Sequence, residues 1–306
     1  MGRYIARRLL ETIPLMLIIS IFVFMFIHLI PGDPARTLAG VEATPEEIEA
    51  IREEFGLNDP LLKQYADYMI GLFKGDMGRS LKSNIPVTEL IWSRFRFTIQ
   101  LVCAGLVWAP FLGIFIGVMC AIKRGTWVDL GGMFLAICGL SAPGFWLGLM
   151  GIQFFSVKMG MLPSAGLESW KSLVLPSLVM GTGIMATLAR YSRSSMLETL
   201  REDYVRTARA KGQKESIVMF RHAFKNSLIQ VVTILGLQIG GLLSGSVITE
   251  NIFSIPGMGR LLVDSISFRD YPVIQGLLMI FALQYVLINL VVDVLYGVIN
   301  PKIRLD

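Results

Sequence analysis

From Phe97 to Ile122 the chain carries no charged residue, and Lys123 and Arg124 close the run. An apolar stretch that long matches the roughly 20 helical residues needed to cross a hydrocarbon core of about 30 Å. It is one of several. Ile13 to Ile30, Leu130 to Val157, Ser172 to Ala189, Leu228 to Ile248 and Val273 to Ile299 read the same way. With 306 residues, 54% of them hydrophobic, and a mean hydropathy of +0.62, the chain is too apolar for a soluble domain. The expected fold is an all-α polytopic membrane protein with six transmembrane helices.

Charge placement orients these spans. Arg3, Arg7 and Arg8 precede the first, and no small-x-small cleavage site follows it, so it reads as a retained span rather than a secretory signal. Lys123, Arg124, the loop Tyr191 to Asn226, and Lys302 with Arg304 gather basic residues at one set of span ends. The short loops at the other ends hold only Lys158, Lys171, Arg260 and Arg269. By the positive-inside rule both termini are cytoplasmic, which explains the net charge of +5 better than nucleic-acid binding does. Cys103, Cys120 and Cys138 all fall inside apolar spans and read as small core residues, without disulfide or metal spacing.

Three parts are expected: residues 1–30 as N-terminus and first span, 31–96 as a helical cap on the outer face, and 97–306 as a core of five spans. Pro31 and Pro34 end the first span abruptly, since proline cannot continue a helix. In the cap, Thr44-Pro45-Glu46-Glu47 is a capping box opening a helix that Gly56 ends, with Ile48, Ile51 and Phe55 as its stripe. A second helix is expected from Pro60 to Lys74, with Leu62, Tyr65, Met69 and Phe73 on one side, then a turn at Gly75 to Gly78 and a short helix from Pro86 to Arg94.

The other polar region is the loop 191–226, where basic residues outnumber acidic ones. Ser195 with Glu198 reads as a capping-box start, Leu197, Leu200, Tyr204 and Ala208 recur at helical spacing, and Gly212 stands where a C-terminal cap belongs. A second helix follows, with Ile217, Phe220, Phe224 and Leu228 on one face. Such a hairpin can present a knob to a soluble partner. The plainer reading is a solvated loop whose positive charge only fixes orientation.

Within the spans, Gly113 and Gly117, Gly144 and Gly148, Gly236 and Gly240, and Gly241 and Gly245 repeat at four-residue spacing, as in closely packed membrane helices. Glycine is also simply common there. Polar residues are sparse. Gln153, Gln238, Gln284, Asn289 and Asp293, the last read as the one carboxylate well inside a span, are candidates for a polar path or for bonds between helices. No Gly-x4-Gly-Lys-Ser/Thr phosphate loop and no Gly-x-Ser-x-Gly elbow occurs, and His28 and His222 are too few for a zinc protease. The chain is not expected to be an enzyme.

Asp203-Tyr204-Val205-Arg206-Thr207-Ala208-Arg209-Ala210-Lys211-Gly212, followed by Arg221-His222-Ala223 and Lys225-Asn226, resembles the coupling loop of ABC importer permeases of the dipeptide/oligopeptide/nickel family. That family's general motif has Glu-Ala-Ala six to four residues before the glycine. Here Arg206-Thr207-Ala208 stands there, so the usual acidic residue is missing. Arg7 to Leu10, Phe22 to Phe26 and Pro31-Gly32-Asp33-Pro34 resemble the family's N-terminal signature, and Phe253 to Arg260 with Arg269 to Gln275 resemble its outer loop before the last span. The stretch Ile288 to Pro301 looks most like the glutathione and dipeptide permeases.

The resemblance implies the type I importer permease fold, in a bacterial or archaeal cytoplasmic membrane. It implies a second, similar permease, two ATPase subunits that bind ATP and Mg2+, and an external solute-binding protein, with no cofactor in this chain. It assigns ATPase coupling to Asp203, Tyr204, Arg206, Thr207, Ala208, Arg209, Ala210, Lys211 and Gly212. Alternating access would move a peptide, glutathione or another small solute such as a nickel chelate. The competing class is a stand-alone secondary transporter, which calls for inverted repeats or charged midplane relays.

Overall fold

The computed structural model describes residues 2–28, 33–40 and 43–299. Among these there is no strand, only one isolated antiparallel bridge between Arg79 and Pro86. In hydrocarbon an α-helix satisfies its own backbone donors and acceptors, so apolar segments of this length fold as helices. The elements are α1 (Gly2–His28), α2 (Pro34–Ala39), α3 (Pro45–Glu54), α4 (Leu61–Lys74), α5 (Val87–Ile122), α6 (Trp127–Ser141), α7 (Gly144–Gly151), α8 (Trp170–Thr199), α9 (Asp203–Ala210), α10 (Glu215–Ile217), α11 (Lys225–Ile252), α12 (Met258–Phe268) and α13 (Tyr271–Ile299). Two π-helical stretches, Ile152–Lys158 after α7 and Val218–Phe224 after α10, complete them.

Among the described residues three helices, α5, α8 and the Tyr271–Val294 part of α13, are long and apolar enough to cross a membrane. Two bent pairs raise the number to five: α6 with the helix Gly144–Lys158, at 101°, and Glu215–Leu242 with Ser246–Ile252, at 51°. The apolar part of α1, Leu10–Met25, is shorter. Leu29 to Gly32, which the sequence reading used to end the first span, and Lys302 with Arg304 lie outside the described residues.

The sequence expectations need correction in four places. The span expected from Leu130 to Val157 is broken, because Ala142 is extended (φ −75°, ψ 124°) ahead of Pro143, as the clash with a proline ring requires. Residues 86–94 are not a separate short helix; Val87 opens α5, which runs unbroken to Ile122 despite Pro110. Ser195 and Glu198 do not start a helix but lie inside α8, which continues well past Ala189. Of the predicted face of α4, Leu62 is 85% and Phe73 83% exposed. Tyr65 and Met69 of that face are partly buried, and Tyr65 together with Tyr68, which the expected face lacks, packs onto Phe24 at ring distances of 5.3 and 6.3 Å.

The chain forms two compact units, one of Ile99–Ile255 with α13 from Ile288, the other of Gly2–Thr98 with Pro256–Leu287. In the first, α5 lies on α8 where it has no side chains: a Cβ on Gly113 would sit 2.6 Å from the Met185 carbonyl oxygen, and one on Gly117 would strike Ala189 and Ser192. That glycine pair is a packing motif. Gly236 likewise admits Val292 of α13, whereas Gly144 and Gly241 face open space.

In the second unit the capping box forms as expected. The Glu47 N–H donates to Thr44 Oγ1 at 3.3 Å and the Thr44 N–H to Glu47 Oε2 at 2.8 Å. Asp33 caps α2 and pairs with Arg52 at 2.7 Å. Asp270, buried between α12 and α13, accepts from Ser80 Oγ and from the N–H groups of Leu81 and Lys82, which pins the turn between α4 and α5. Val87, Ile91, Met258, Val273 and Leu277 form its apolar core.

Candidate functional site

The loop 191–226 does form a helical hairpin, with a different internal logic from the one its spacing proposed. Helix α9 begins three residues after α8 ends. It ends in a Schellman turn, in which the Gly212 N–H donates to Arg209 O at 2.9 Å and the Gln213 N–H to Ala208 O at 3.3 Å. Gly212 sits at φ 73°, the left-handed region where glycine pays no Cβ penalty. The end of α9 was therefore legible in the sequence.

Its buried face was legible only in part: the expected stripe correctly holds Leu200 and Ala208 but has Tyr204 where Val205 belongs. Val205 is fully buried and Ala208 nearly so, packed against Val218 and Leu200, while Tyr204 is 41% exposed. The returning strut, α10 and the π-helical turn after it, buries Val218 and Ala223, five residues apart, and leaves Phe220 outside at 59% exposure. The wider π turn shifts the apolar stripe, so the face expected from Ile217, Phe220, Phe224 and Leu228 is not the packed one.

Three polar residue pairs tie the hairpin's two arms together. Asn226 Nδ2 donates to Tyr204 Oη at 3.0 Å. The His222 ring lies 2.8 Å from Gln213 Oε1. Arg209 donates to both Glu215 oxygens, at 2.7 and 3.2 Å. The Arg209 guanidinium holds the Glu215 carboxyl below the usual glutamate range. Gln213, Glu215 and Val218 were not singled out from sequence; their signal is their placement opposite α9 once the glycine cap reverses the chain.

These bonds sort the proposed coupling residues. Ala208 and Arg209 are engaged within the hairpin, Tyr204 braces it, and Gly212 turns the chain. Asp203, Arg206, Thr207, Ala210 and Lys211 point outward, with Arg206 loosely near Asp203 at 3.5 Å. The result is a rigid knob whose outer surface is polar and mainly basic.

The proposed pathway residues are dispersed. Gln238 lines a cavity of about 340 Å³ at the break between α6 and α7, together with Gly139, Ala142, Gly144 and Thr182. Its Nε2 reaches Thr187 Oγ1 at 3.4 Å. Gln153 is exposed on the π-helical stretch after α7. Gln284, Asn289 and Asp293 are half-buried on α13, and Gln284 Oε1 is a shielded atom without a hydrogen-bond partner. Asp293 is not the only carboxylate within a long apolar helix: α11 extends beyond the expected Ile248, and Glu250 on it is fully buried.

The pattern of the family described as "Binding-protein-dependent transport system inner membrane component" matches residues 113–305. The pattern for the N-terminal part of such components matches residues 1–102. The chain belongs to this family and is a permease subunit of an ABC importer.

Among its relatives are the glutathione transport system permease proteins GsiC of Salmonella typhimurium and Escherichia coli (strain K12). Each is 48% identical over 304 residues, covering 99% of both chains. Solved structures share the fold at low identity. The inward-facing MetNI methionine ABC transporter has a TM-score of 0.55 at 18% identity, over 69% of this chain and 98% of that one. An amino acid ABC transporter has a TM-score of 0.52 at 17% identity, over 71% and 95%.

Proposed function

We propose that this chain forms half of the translocation path for glutathione or a similar short peptide, moved by alternating access. The solute class rests on the full-length 48% identity to the glutathione permeases. ATP and Mg2+ act on two separate ATPase subunits, a second permease of similar fold completes the path, an external binding protein delivers the solute, and this chain has no catalytic site of its own. In this reading α1 is the first of six spans, both termini are cytoplasmic, and residues 35–96 and the loop Pro256–Arg269 lie on the outer face.

The observation that carries the coupling role is the knob itself. Arg206, Thr207, Ala210 and Lys211 are exposed on a helix that three polar residue pairs and a buried Val205 hold rigid. A rigid basic knob suits an acidic groove on an ATPase and transmits displacement rather than absorbing it. Gln238 and its cavity are the proposed stretch of path within this chain. Asp293 is proposed as a helix-to-helix contact, consistent with the cost of about 2.5–3.5 kcal/mol for a lipid-facing charge.

Purification from the host and uptake in proteoliposomes test this together. The expected result is co-purification with a second permease and two ATPases, and ATP-dependent uptake of labelled glutathione that dipeptides compete. A chain that purifies alone and transports without ATP overturns the reading. Competition by a nickel chelate and not by peptides overturns the solute class.

A further inference from the structure

The cytoplasmic-type end of α8 is a junction. Ser195 Oγ donates to Ser227 O of α11 at 3.0 Å, and Met196 is fully buried against Ala121 of α5 and Ala223. Leu200, just beyond α8, packs both on that cluster and on the Val205, Ala208 and Val218 cluster that seats α9. One turn back from this junction, Arg193 Nε donates to Asp129 Oδ1 at 2.6 Å and Nη2 to Oδ2 at 2.8 Å. Asp129 is 4% exposed and accepts a third bond, from the Gly125 N–H at 3.0 Å.

Asp129 lies in the first turn of α6. The other end of that helix, Gly139 and Leu140, forms part of the wall of the 340 Å³ cavity that Gln238 lines. Between the two ends the buried contact of α6 with α8 is built on small side chains: Ala136 packs with Ala186 and Ala189, with Met133 beside them, and Gly139 faces Thr182 and Ala186. Such contacts hold helices close but specify little about their sliding. The Asp129 side chain is buried and that of Arg193 is 28% exposed; a largely buried, bidentate ion pair costs about as much as it returns in stability, and its attested use is to fix register.

We propose that the Asp129–Arg193 pair is the link through which displacement of α9 reaches the cavity wall, with both as positioning residues for transport. The inference rests on the coupling role proposed for α9. Motion of the knob is carried by Leu200 to the end of α8, by Arg193 to the first turn of α6, and by α6 as a rigid lever to Gly139 and Leu140. Without the fork α6 remains packed on α8 but no longer follows it in register.

Removing one partner alone strands a buried charge, so the informative variant is the neutral double Asp129→Asn/Arg193→Gln in the reconstituted complex. The expected result is normal membrane insertion, normal ATPase capture and basal hydrolysis, with solute-stimulated hydrolysis and uptake down about tenfold, within the usual range of coupling between sites. Wild-type stimulated hydrolysis and uptake in that variant overturn the inference. So does loss of the assembled complex, rescued by no detergent or lipid condition, since the pair is then a structural tie. Gly212→Val is measured alongside. If it uncouples transport while the neutral double does not, only this inference fails; if neither uncouples, the coupling role of α9 fails with it.

Discussion

Asn226 Nδ2 donates to Tyr204 Oη at 3.0 Å, and to His222 O at 2.9 Å, so one amide closes the hairpin between α9 and the start of α11. Both residues belong to the stretch that resembles a coupling loop, and their bond is made to each other. In the coupling role proposed for α9, these two residues act by holding that helix in place.

Tyr204→Phe removes the acceptor and leaves Asn226 its bond to His222. An exposed neutral hydrogen bond contributes about 0.5–1.5 kcal/mol, so insertion and folding should be unchanged. ATPase capture should weaken roughly 2- to 10-fold, since 1.4 kcal/mol is a factor of ten. Asn226→Ala should weaken it by a similar amount, and the double variant by no more than either alone. A pull-down titration measures this, and additive losses would show that the two residues act separately.

Gly212 is constrained by its backbone and not by space. A Cβ there would meet nothing within 4 Å, but φ is 73°. A non-glycine residue in the left-handed region costs on the order of 1–2 kcal/mol, least for asparagine, which tolerates it best. Gly212→Asn should therefore retain most uptake and Gly212→Val should lose it, both with normal insertion. Equal transport by the two variants would mean that the cap geometry of α9 is unimportant.

What was legible in the sequence was local. The Thr44 capping box and the glycines that end α3, α4 and α9 are each specified within a few residues of where they act. The break at Pro143 had its signal in the chain, but an apolar run of that length reads first as one span. The end of α8 was placed too early because Arg190, Arg193 and Arg201 look like the start of a loop, whereas a helix leaves an apolar layer without unwinding. Arg193 and Asp129, 64 residues apart, had no local signature at all. The faces of α4 and of the π-helical turn depend on what lies opposite, Phe24 in one case and Val205 in the other, and no periodicity carries that.

The glycines of α5 make a sharper forecast than glycine frequency allows. Gly117 faces the backbone of Ala189 and the Ser192 side chain, neither of which can move without shifting α8. Gly117→Leu should prevent accumulation of folded protein or lower its melting temperature markedly, overpacking costing about 1–3 kcal/mol or more. Gly183, also in a helix, meets nothing within 4 Å. Gly183→Ala should be neutral or stabilising by roughly 0.5–1 kcal/mol through helix propensity. Thermal unfolding in detergent distinguishes the two.

Orientation is tested with single cysteines at Lys63 and Lys214, in a background lacking Cys103, Cys120 and Cys138. Lys63 lies on α4 and is 59% exposed at its side chain, and Lys214 is exposed at the tip of the hairpin. A membrane-impermeant maleimide should label the first in intact cells and the second only after the membrane is opened. Labelling of both from one side would refute the proposed topology.

The inward and outward faces of α9 should fail in different ways. Ala208 is 6% exposed against Val218, so Ala208→Trp has no room and should unseat the hairpin from within. Its loss of ATPase capture should come with a destabilised loop, seen as faster proteolysis between residues 200 and 226. Arg206 is 72% exposed, and nothing in the hairpin depends on it beyond a 3.5 Å approach to Asp203. Arg206→Glu should leave proteolysis and melting unchanged, because exposed pairs contribute about 0–1 kcal/mol. It should still weaken ATPase capture, and more strongly at low salt than at high, because the Debye length falls from about 30 Å at 0.01 M to 3 Å at 1 M. If Arg206→Glu and Lys211→Glu bind the ATPase as the wild type does at low salt, the exposed basic face of α9 is not the docking surface, whatever Ala208→Trp does.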